Sequence, residues 1–193
     1  MSFHQLVKVP GDRIGVIIGK EGKVKDDIED KCKVLIQIDS ESGSVVVSPH
    51  DSAPLDQAFK AVDIISAISR GFSPQRAYRL LREEINLQII DLNDYVGRSS
   101  NDMARLKGRI IGEGGKSRKT IEELTGTNIS IYGHTVSIIG NFEDIKLATD
   151  AVLHLVKGSS HKTVYNLLQD KRRRAKISKL YLWEDNNLKR DVD

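Results

Sequence analysis

The residues best suited to binding chemistry lie in one run, residues 107–119, which places four glycines among five basic side chains. Glycine allows the backbone to approach a ligand closely, and clustered positive charge favours a ligand that is anionic. A nucleotide and a nucleic-acid backbone are both compatible with this run. A solvated turn without any ligand is the third interpretation.

Positive charge is concentrated in three segments, although the net charge of the chain is only +3. Residues 8–25 carry five basic and two acidic side chains, residues 98–119 carry seven and two, and residues 171–179 carry six and none. Many charge runs are only solvated surface. Two of these three segments coincide with glycine-containing turns, which favours an anionic partner.

The chain contains an internal repeat whose two copies are 93 residues apart (112 − 19). The offset aligns apolar, glycine and basic positions without a gap through two predicted strands, which indicates two copies of one domain. The aligned pairs include Gly19 with Gly112, Gly22 with Gly115, Lys23 with Lys116, Ile28 with Ile121, and Ile36 with Ile129.

Each copy predicts the element order β-α-α-β-β-α, and the fold class is α+β. In each copy a Gly-x-x-Gly turn separates a short helix ending in Ile-Ile-Gly from a second helix. Asp51 or Ser52 is the expected N-cap of the long helix in the first copy. Strands are predicted at 5–9, 44–48, 85–90 and 135–139, and long amphipathic helices at 54–70 and 142–157.

The segments outside the repeats have their own signals. Ser73 as a cap and Pro74 at the first helical position predict a connecting helix over 75–84. A last helix is expected from His161 and runs into the basic residues. The predicted domains are 1–71 and 83–158, with a linking helix at 72–82 and a C-terminal helix and basic tail at 159–193.

Several other functions fit the residues poorly. A nucleotide-binding P-loop requires a glycine five positions before Gly115, where the chain has Ile110, and a strand before the loop. The five histidines are scattered and Cys32 is the single cysteine, so neither a catalytic histidine motif nor a thiolate zinc cluster is indicated. We therefore expect no enzyme activity, no cofactor, no metal and no small-molecule substrate. Without a signal peptide or a membrane span in the sequence, a cytoplasmic location is the expectation.

Ile-Ile-Gly-x-x-Gly-Lys between two helices, followed by an apolar strand, resembles the KH domain in its type I arrangement. The KH loop clamps about four nucleotides of single-stranded nucleic acid. The run from Gly108 to Glu122 and the later Lys162-Thr163-Val164-Tyr165 resemble a narrower family, the Partner of Nob One proteins of small-ribosomal-subunit maturation. The fold this resemblance implies is two tandem type I KH domains with a linking helix and a basic C-terminal helix.

This resemblance also implies partners. They are small-subunit rRNA or the 3′ region of its precursor, the Nob-type endonuclease that trims it, and the alpha subunit of translation initiation factor two. Two intact Gly-x-x-Gly turns resemble the archaeal form of the family. A protein-interaction scaffold with vestigial turns is the alternative that remains open.

The candidate RNA-binding residues follow from the turns and the basic segments, with phosphates on the turn backbone and on the lysines and arginines. The second copy is the expected main site. Gln37, Asn128 and Ser130 are expected to help select bases. The full set is Gly19, Lys20, Glu21, Gly22, Lys23, Lys25 and Ile36 in the first copy; Arg109, Gly112, Glu113, Gly114, Gly115, Lys116, Arg118, Lys119 and Ile129 in the second; and Lys171, Arg172, Arg173 and Arg174 near the end.

Overall fold

The computed structural model describes the backbone of residues 4–50, 54–96 and 100–190 and the side chains of residues 4–50, 54–96 and 101–177. The N-cap predicted at Asp51 or Ser52 lies outside these residues. Contacts divide the chain into two compact units. The first comprises residues 1–96 and 128–142, and the second comprises residues 97–127 and 143–193.

The first repeat has the predicted element order. A 3-10 turn over Lys20–Gly22 separates its first two helices. Its elements are β1 (Gln5–Lys8), α1 (Gly11–Ile18), α2 (Lys23–Cys32), β2 (Val34–Asp39), β3 (Ser44–Pro49) and α3 (Leu55–Ser69).

The strands of the first repeat form an antiparallel sheet in the order β1-β3-β2, so β2 is an edge strand. One face of the sheet is buried and the other is partly exposed, because successive side chains of a strand point to opposite faces. Residues that alternate along β2 and β3 pack with apolar residues of α1, α2 and α3 to form one core. Its members include Ile17, Ile28, Val34, Ile36, Val45, Val47, Ile64, Ile65 and Ile68.

The second repeat has the same order of elements, as predicted. Its strands also form an antiparallel sheet, in the order β4-β6-β5. Its elements are β4 (Ile85–Asp91), α5 (Ser100–Ile111), α6 (Lys116–Thr125), β5 (Asn128–Tyr132), β6 (Thr135–Asn141) and α7 (Phe142–Val156).

One face of the second sheet packs against the first repeat, within the first unit. Ile139 of β6 is fully buried in the first repeat's core, and Leu87 of β4 packs against the same core. Asn128 of β5 accepts a hydrogen bond from the guanidinium of Arg79. All six residues from 135 to 140 are buried, whereas burial alternates along β3.

The end of β5 contacts the first turn of α1. The Tyr132 hydroxyl donates a hydrogen bond to the Asp12 carboxylate at 2.7 Å, and the Arg13 guanidinium lies 5.9 Å from the centre of the Tyr132 ring. The hydrogen bond to Asp12 raises the pKa of the Tyr132 hydroxyl. The second sheet is therefore joined to the first repeat by polar as well as apolar contacts.

The connection between the repeats is shorter than predicted. Ser73 is the N-cap of α4 (Pro74–Ala77), and its hydroxyl accepts from the Arg76 N–H at 3.4 Å, which confirms the predicted cap and the position of Pro74. The prediction of a helix over 75–84 is wrong, because α4 ends at Ala77. A 3-10 turn over Tyr78–Leu81 follows α4, and Arg82 is extended.

The last helix, α8 (His161–Arg190), begins where it was predicted and includes the basic residues. It runs through most of the segment 159–193 that was predicted as a C-terminal helix and basic tail. Among the helices of the described residues, none has the length and apolar character needed to span a bilayer.

Candidate nucleic-acid interface

The first glycine of each Gly-x-x-Gly turn is required by its backbone conformation and by its surroundings. Gly19 and Gly112 have φ angles of +74° and +72°. A Cβ atom would lie 2.4 Å from Cγ2 of Val24 in the first turn and 2.6 Å from Cβ of Ser117 in the second. No side chain fits between the turn and the helix that follows it.

The third position of each turn is left-handed although its residue differs between the copies. Glu21 has φ of 56° in the first turn, and Gly114 has φ of 57° in the second. An L-residue in this region is disfavoured by roughly 1–2 kcal/mol, which glycine avoids. The second turn is therefore the less strained of the two.

Both turns lie at a helix start, where the N–H groups of Lys23 and Lys116 bond back to the carbonyls of Lys20 and Glu113. Gly22 and Gly115 precede α2 and α6, and because glycine has no side chain, neither helix has a side-chain cap. The first N–H groups of a helix have no partner within it and lie at the positive end of its dipole. The exposed turn residues, Glu21 and Gly114 among them, leave this position open to an anion such as a phosphate.

The basic side chains around the turns divide into exposed and paired groups. Lys20, Lys23, Lys116 and Lys119 are exposed, and Lys23 lies 3.7 Å from Glu21 of its own turn. Lys25 and Arg118 are partly buried, and each forms an ion pair with a glutamate one helical turn further along. Lys25 lies 3.6 Å from Glu29, and Arg118 lies 3.9 Å from Glu122.

Arg109 has a structural role that the sequence analysis did not foresee, and its contact with RNA stays a prediction. Its Nε donates to the Leu155 carbonyl at 3.2 Å and its Nη2 to the Ser159 carbonyl at 2.8 Å, which caps the end of α7. Arg13 donates in the same way to two carbonyls at the end of α3. Basic side chains near a helix C-terminus satisfy carbonyls that lack helical partners.

The apolar residues predicted to contact RNA are core residues. Ile36 and Ile129 are each 1% exposed, so a contact between these side chains and a base is excluded in this structure. Ser130 is buried, and its hydroxyl donates to the Arg70 carbonyl at 2.8 Å, so this hydroxyl is engaged inside the protein. Asn128 is engaged with Arg79, whereas Gln37 is exposed on β2.

Glu29 is a site residue that the sequence analysis missed. Its carboxylate accepts a hydrogen bond of 2.6 Å from the Ile36 N–H on the edge strand and also pairs with Lys25. The signal was present in the sequence, because a basic residue followed four positions later by glutamate recurs at the 93-residue offset as Arg118 and Glu122. An ion pair at this spacing stabilises the helix that follows the turn.

The basic residues of α8 lie in the second unit, where α8 packs against α6. Lys171 is held by Asp150 at 3.0 Å, and Arg172, Arg173 and Arg174 are exposed. Lys171 is therefore engaged in an ion pair between α8 and α7, while the three arginines face solvent. Within the described part of the chain, no group of three or more His, Cys, Asp or Glu side chains is arranged to hold a metal ion.

The fold and the two turns define a class. A Gly-x-x-Gly turn between two helices, in the order β-α-α-β-β-α with a three-stranded antiparallel sheet, is a type I KH domain, and this chain has two in tandem. Residues 86–173 match the family described as eukaryotic type KH-domain (KH-domain type I), and residues 4–66 match the KH domain. The chain belongs to the family of KH-domain proteins that includes Dim2 and the PNO1 proteins, as the resemblance indicated.

The relatives are both archaeal and eukaryotic. A KH domain-containing protein of Methanocaldococcus jannaschii is 44% identical over 191 residues, which are 98% of this chain and 82% of that protein. The pre-rRNA-processing protein pno1 of Schizosaccharomyces pombe is 33% identical over 118 residues, which are 61% of this chain and 49% of that protein.

Two solved structures from Pyrococcus horikoshii are similar over most of the chain. Dim2p has a TM-score of 0.82 and 44% identity, covering 87% of this chain and 99% of that one. A complex of a/eIF2alpha, aDim2p and rRNA contains a chain with a TM-score of 0.85 and 43% identity, covering 90% of this chain and 96% of that one.

Proposed function

We propose that this chain binds single-stranded RNA of the small ribosomal subunit or its precursor, with the turn at Gly112–Gly115 as the main contact. The observation that carries the proposal is the shared geometry of the two turns. Each presents an exposed main chain at an uncapped helix start, in the same conformation although the variable residues differ. A backbone clamp of this kind grips phosphates without depending on particular side chains.

The second turn has the stronger electrostatic attraction for a phosphate backbone. Residues 98–119 carry seven basic and two acidic side chains, a net +5, whereas residues 8–25 carry five and two, a net +3. Lys116 and Lys119 are exposed beside the second turn. In the first turn the nearby Lys23 lies 3.7 Å from Glu21, which reduces its attraction for an anion.

The test compares two substitutions of Gly114, which has open space around its Cβ position. Asn and Asp are nearly the same size and both tolerate the left-handed region, so Gly114→Asn is the matched control for the charge of Gly114→Asp. A negative charge about 4 Å from a phosphate raises the free energy of binding by about 1 kcal/mol in water and more in a less polar surrounding. We expect Gly114→Asp to weaken RNA binding at least fivefold and Gly114→Asn to change it less than threefold.

Salt dependence gives a second measurement of the same site. If the turn and its lysines neutralise about four phosphates, the slope of log K against log salt is about −3 for single-stranded RNA. Equal affinities of the two Gly114 variants and the wild-type chain, with a slope near zero, would instead support the protein-interaction scaffold.

We also propose that the chain acts in the processing of small-subunit rRNA by binding the 3′ region of the precursor and aiding a Nob-type endonuclease. The similarity to pre-rRNA-processing proteins and to a chain solved with rRNA supports this role. The assay is cleavage of a model precursor by the endonuclease, with and without this protein. We expect faster cleavage with the wild-type chain, no acceleration with Gly114→Asp, and no cleavage by this protein alone.

The alpha subunit of translation initiation factor two is a further proposed partner. The support is that an archaeal relative of the chain has been solved with a/eIF2alpha and rRNA together. Co-elution of the purified subunit with this protein in the presence of RNA tests the proposal. Separate elution at micromolar concentrations would contradict it.

A further inference from the structure

A cleft of about 380 Å³ lies within the second unit, between the end of α6, the start of α7 and the basic part of α8. Its volume falls in the range that accepts a small organic group. Leu124, Leu147 and Ala175 supply apolar surface, and the charged lining residues are Glu123, Asp144, Arg172 and Lys176, two acidic and two basic. No residue of the Gly-x-x-Gly turn lines the cleft.

The α6 side of the cleft is rich in hydrogen-bond acceptors. α6 ends at Thr125, and the Gly126 N–H donates back to the Glu122 carbonyl. The other carbonyl groups of the last turn of α6 have no partner within the helix. Glu123 adds an exposed carboxylate. A ligand on this side therefore needs N–H or O–H donors.

The α8 side of the cleft is cationic. Arg172 and Lys176 are one helical turn apart and both are exposed. Among the residues whose side chains are described, no ion pair within 4 Å includes either of them. A ligand on this side therefore carries negative charge.

We propose that the cleft binds one nucleotide of the RNA, which rests on the proposed RNA-binding function. The base lies against Leu124, Leu147 and Ala175, and its phosphate lies at Arg172 and Lys176. Nucleotides combine an anionic phosphate with a flat apolar base that carries N–H donors. A basic peptide is repelled by α8.

The acceptors favour a base that presents adjacent N–H donors on one edge. Guanine has such donors at N1 and N2, whereas adenine and cytosine offer only their amino group and uracil has no amino group. The cleft is one helix away from the turn, because α6 has ten residues and so spans about 15 Å. RNA that fills both sites is thus a few nucleotides longer than the four that a KH turn holds.

The test uses the full chain with pools of four and of eight random ribonucleotides. Ala175→Trp fills the cleft without changing charge, and Gln169→Trp places the same side chain elsewhere on the exposed surface of α8. We expect the wild-type chain and Gln169→Trp to bind the longer pool about tenfold more tightly than the shorter one. Ala175→Trp loses that gain but keeps the affinity for four nucleotides, which also shows that it is folded.

The eight-nucleotide pool is then prepared without guanine or without uracil. We expect the guanine-free pool to lose the gain in the wild-type chain and the uracil-free pool to keep it, with a difference of about tenfold. A gain that survives in Ala175→Trp overturns the cleft as a nucleotide site, and equal binding of the two pools overturns the preference for guanine. If the wild-type chain binds neither length of RNA, the proposed RNA-binding function fails as well.

Discussion

Gly71 ends α3 beside the second sheet, and replacing it with alanine tests the packing between the first repeat and β5. Its φ angle is +94°, which L-residues rarely adopt. A Cβ atom at Gly71 would lie 2.8 Å from Oγ of Ser130 and 3.0 Å from Cβ of Tyr132. The same Ser130 hydroxyl donates to the Arg70 carbonyl at 2.8 Å.

The second repeat supplies a matched control. Gly158 stands 87 residues later (158 − 71) at the end of α7, with φ of +99° and nothing within 4 Å of its Cβ position. Gly158→Ala therefore reports the backbone conformation alone, which we expect to lower the free energy of unfolding by about 1–2 kcal/mol. Gly71→Ala also displaces Ser130 and breaks its hydrogen bond, which adds about 1 kcal/mol or more. We expect a total of about 2–4 kcal/mol.

Urea unfolding followed by circular dichroism measures both variants through the shift of the midpoint at constant slope. A double-mutant cycle with Ser130→Ala isolates the close contact, because that substitution removes the hydroxyl that the new methyl group meets. We expect Gly71→Ala to be less destabilising in the Ser130→Ala background. Equal effects of Gly71→Ala and Gly158→Ala, or strict additivity in the cycle, would refute the proposed contact.

Three further predictions concern single side chains. Arg109→Ala should lower the free energy of unfolding by about 2 kcal/mol because α7 loses its cap, whereas Lys119→Ala should leave stability within about 0.5 kcal/mol and weaken RNA binding. Glu29→Ala should destabilise by about 1–2 kcal/mol through loss of the hydrogen bond to the edge strand, with exposed Asp30→Ala as the control in the same urea assay. Burial raises the pKa of the Cys32 thiol from 9.0 to about 11. As the pH rises, the thiol therefore ionises in the unfolded chain before it ionises in the folded chain. The free energy of unfolding should consequently fall between pH 9 and 11. Cys32→Val should remove that part of the decline, and an identical decline in the variant would contradict the assignment.

The order of the elements was predictable because periodicity and turn chemistry act locally. The helix predicted at 142–157 is found at Phe142–Val156, since its apolar residues recur at helical spacing and its ends are marked by Asn141 and Gly158. The prediction of the connecting helix failed because tertiary contacts determine the conformation of this segment. Leu80 is buried within a 3-10 turn, and the Lys60 ammonium binds the Leu81 carbonyl, which the local sequence does not reveal.

Contacts between distant segments were not predictable. β3 and β6 both contain consecutive apolar residues, yet burial alternates along β3 and is continuous from 135 to 140 in β6. A strand's own sequence does not show whether a second layer covers its other face. For the same reason the sequence did not reveal that Arg109 caps α7. Its type and its position beside a glycine turn are the same whether it caps a helix or contacts RNA, and the carbonyls it caps lie 46 and 50 residues away.

The comparison of the two turns shows which residues determine the conformation of the Gly-x-x-Gly turn. Lys20-Glu21 and Glu113-Gly114 share no side-chain chemistry at matching positions, yet both turns have the same backbone torsions. The conformation is therefore imposed by the outer glycines and by the close approach of the next helix. The two variable residues can therefore differ in charge between the turns, and the left-handed Gly114 relieves the backbone strain that Glu21 carries in the first turn. In the proposed binding mode the main chain contacts the phosphate, so Glu113 is tolerated in the second turn while the exposed Lys116 and Lys119 of α6 supply the attraction.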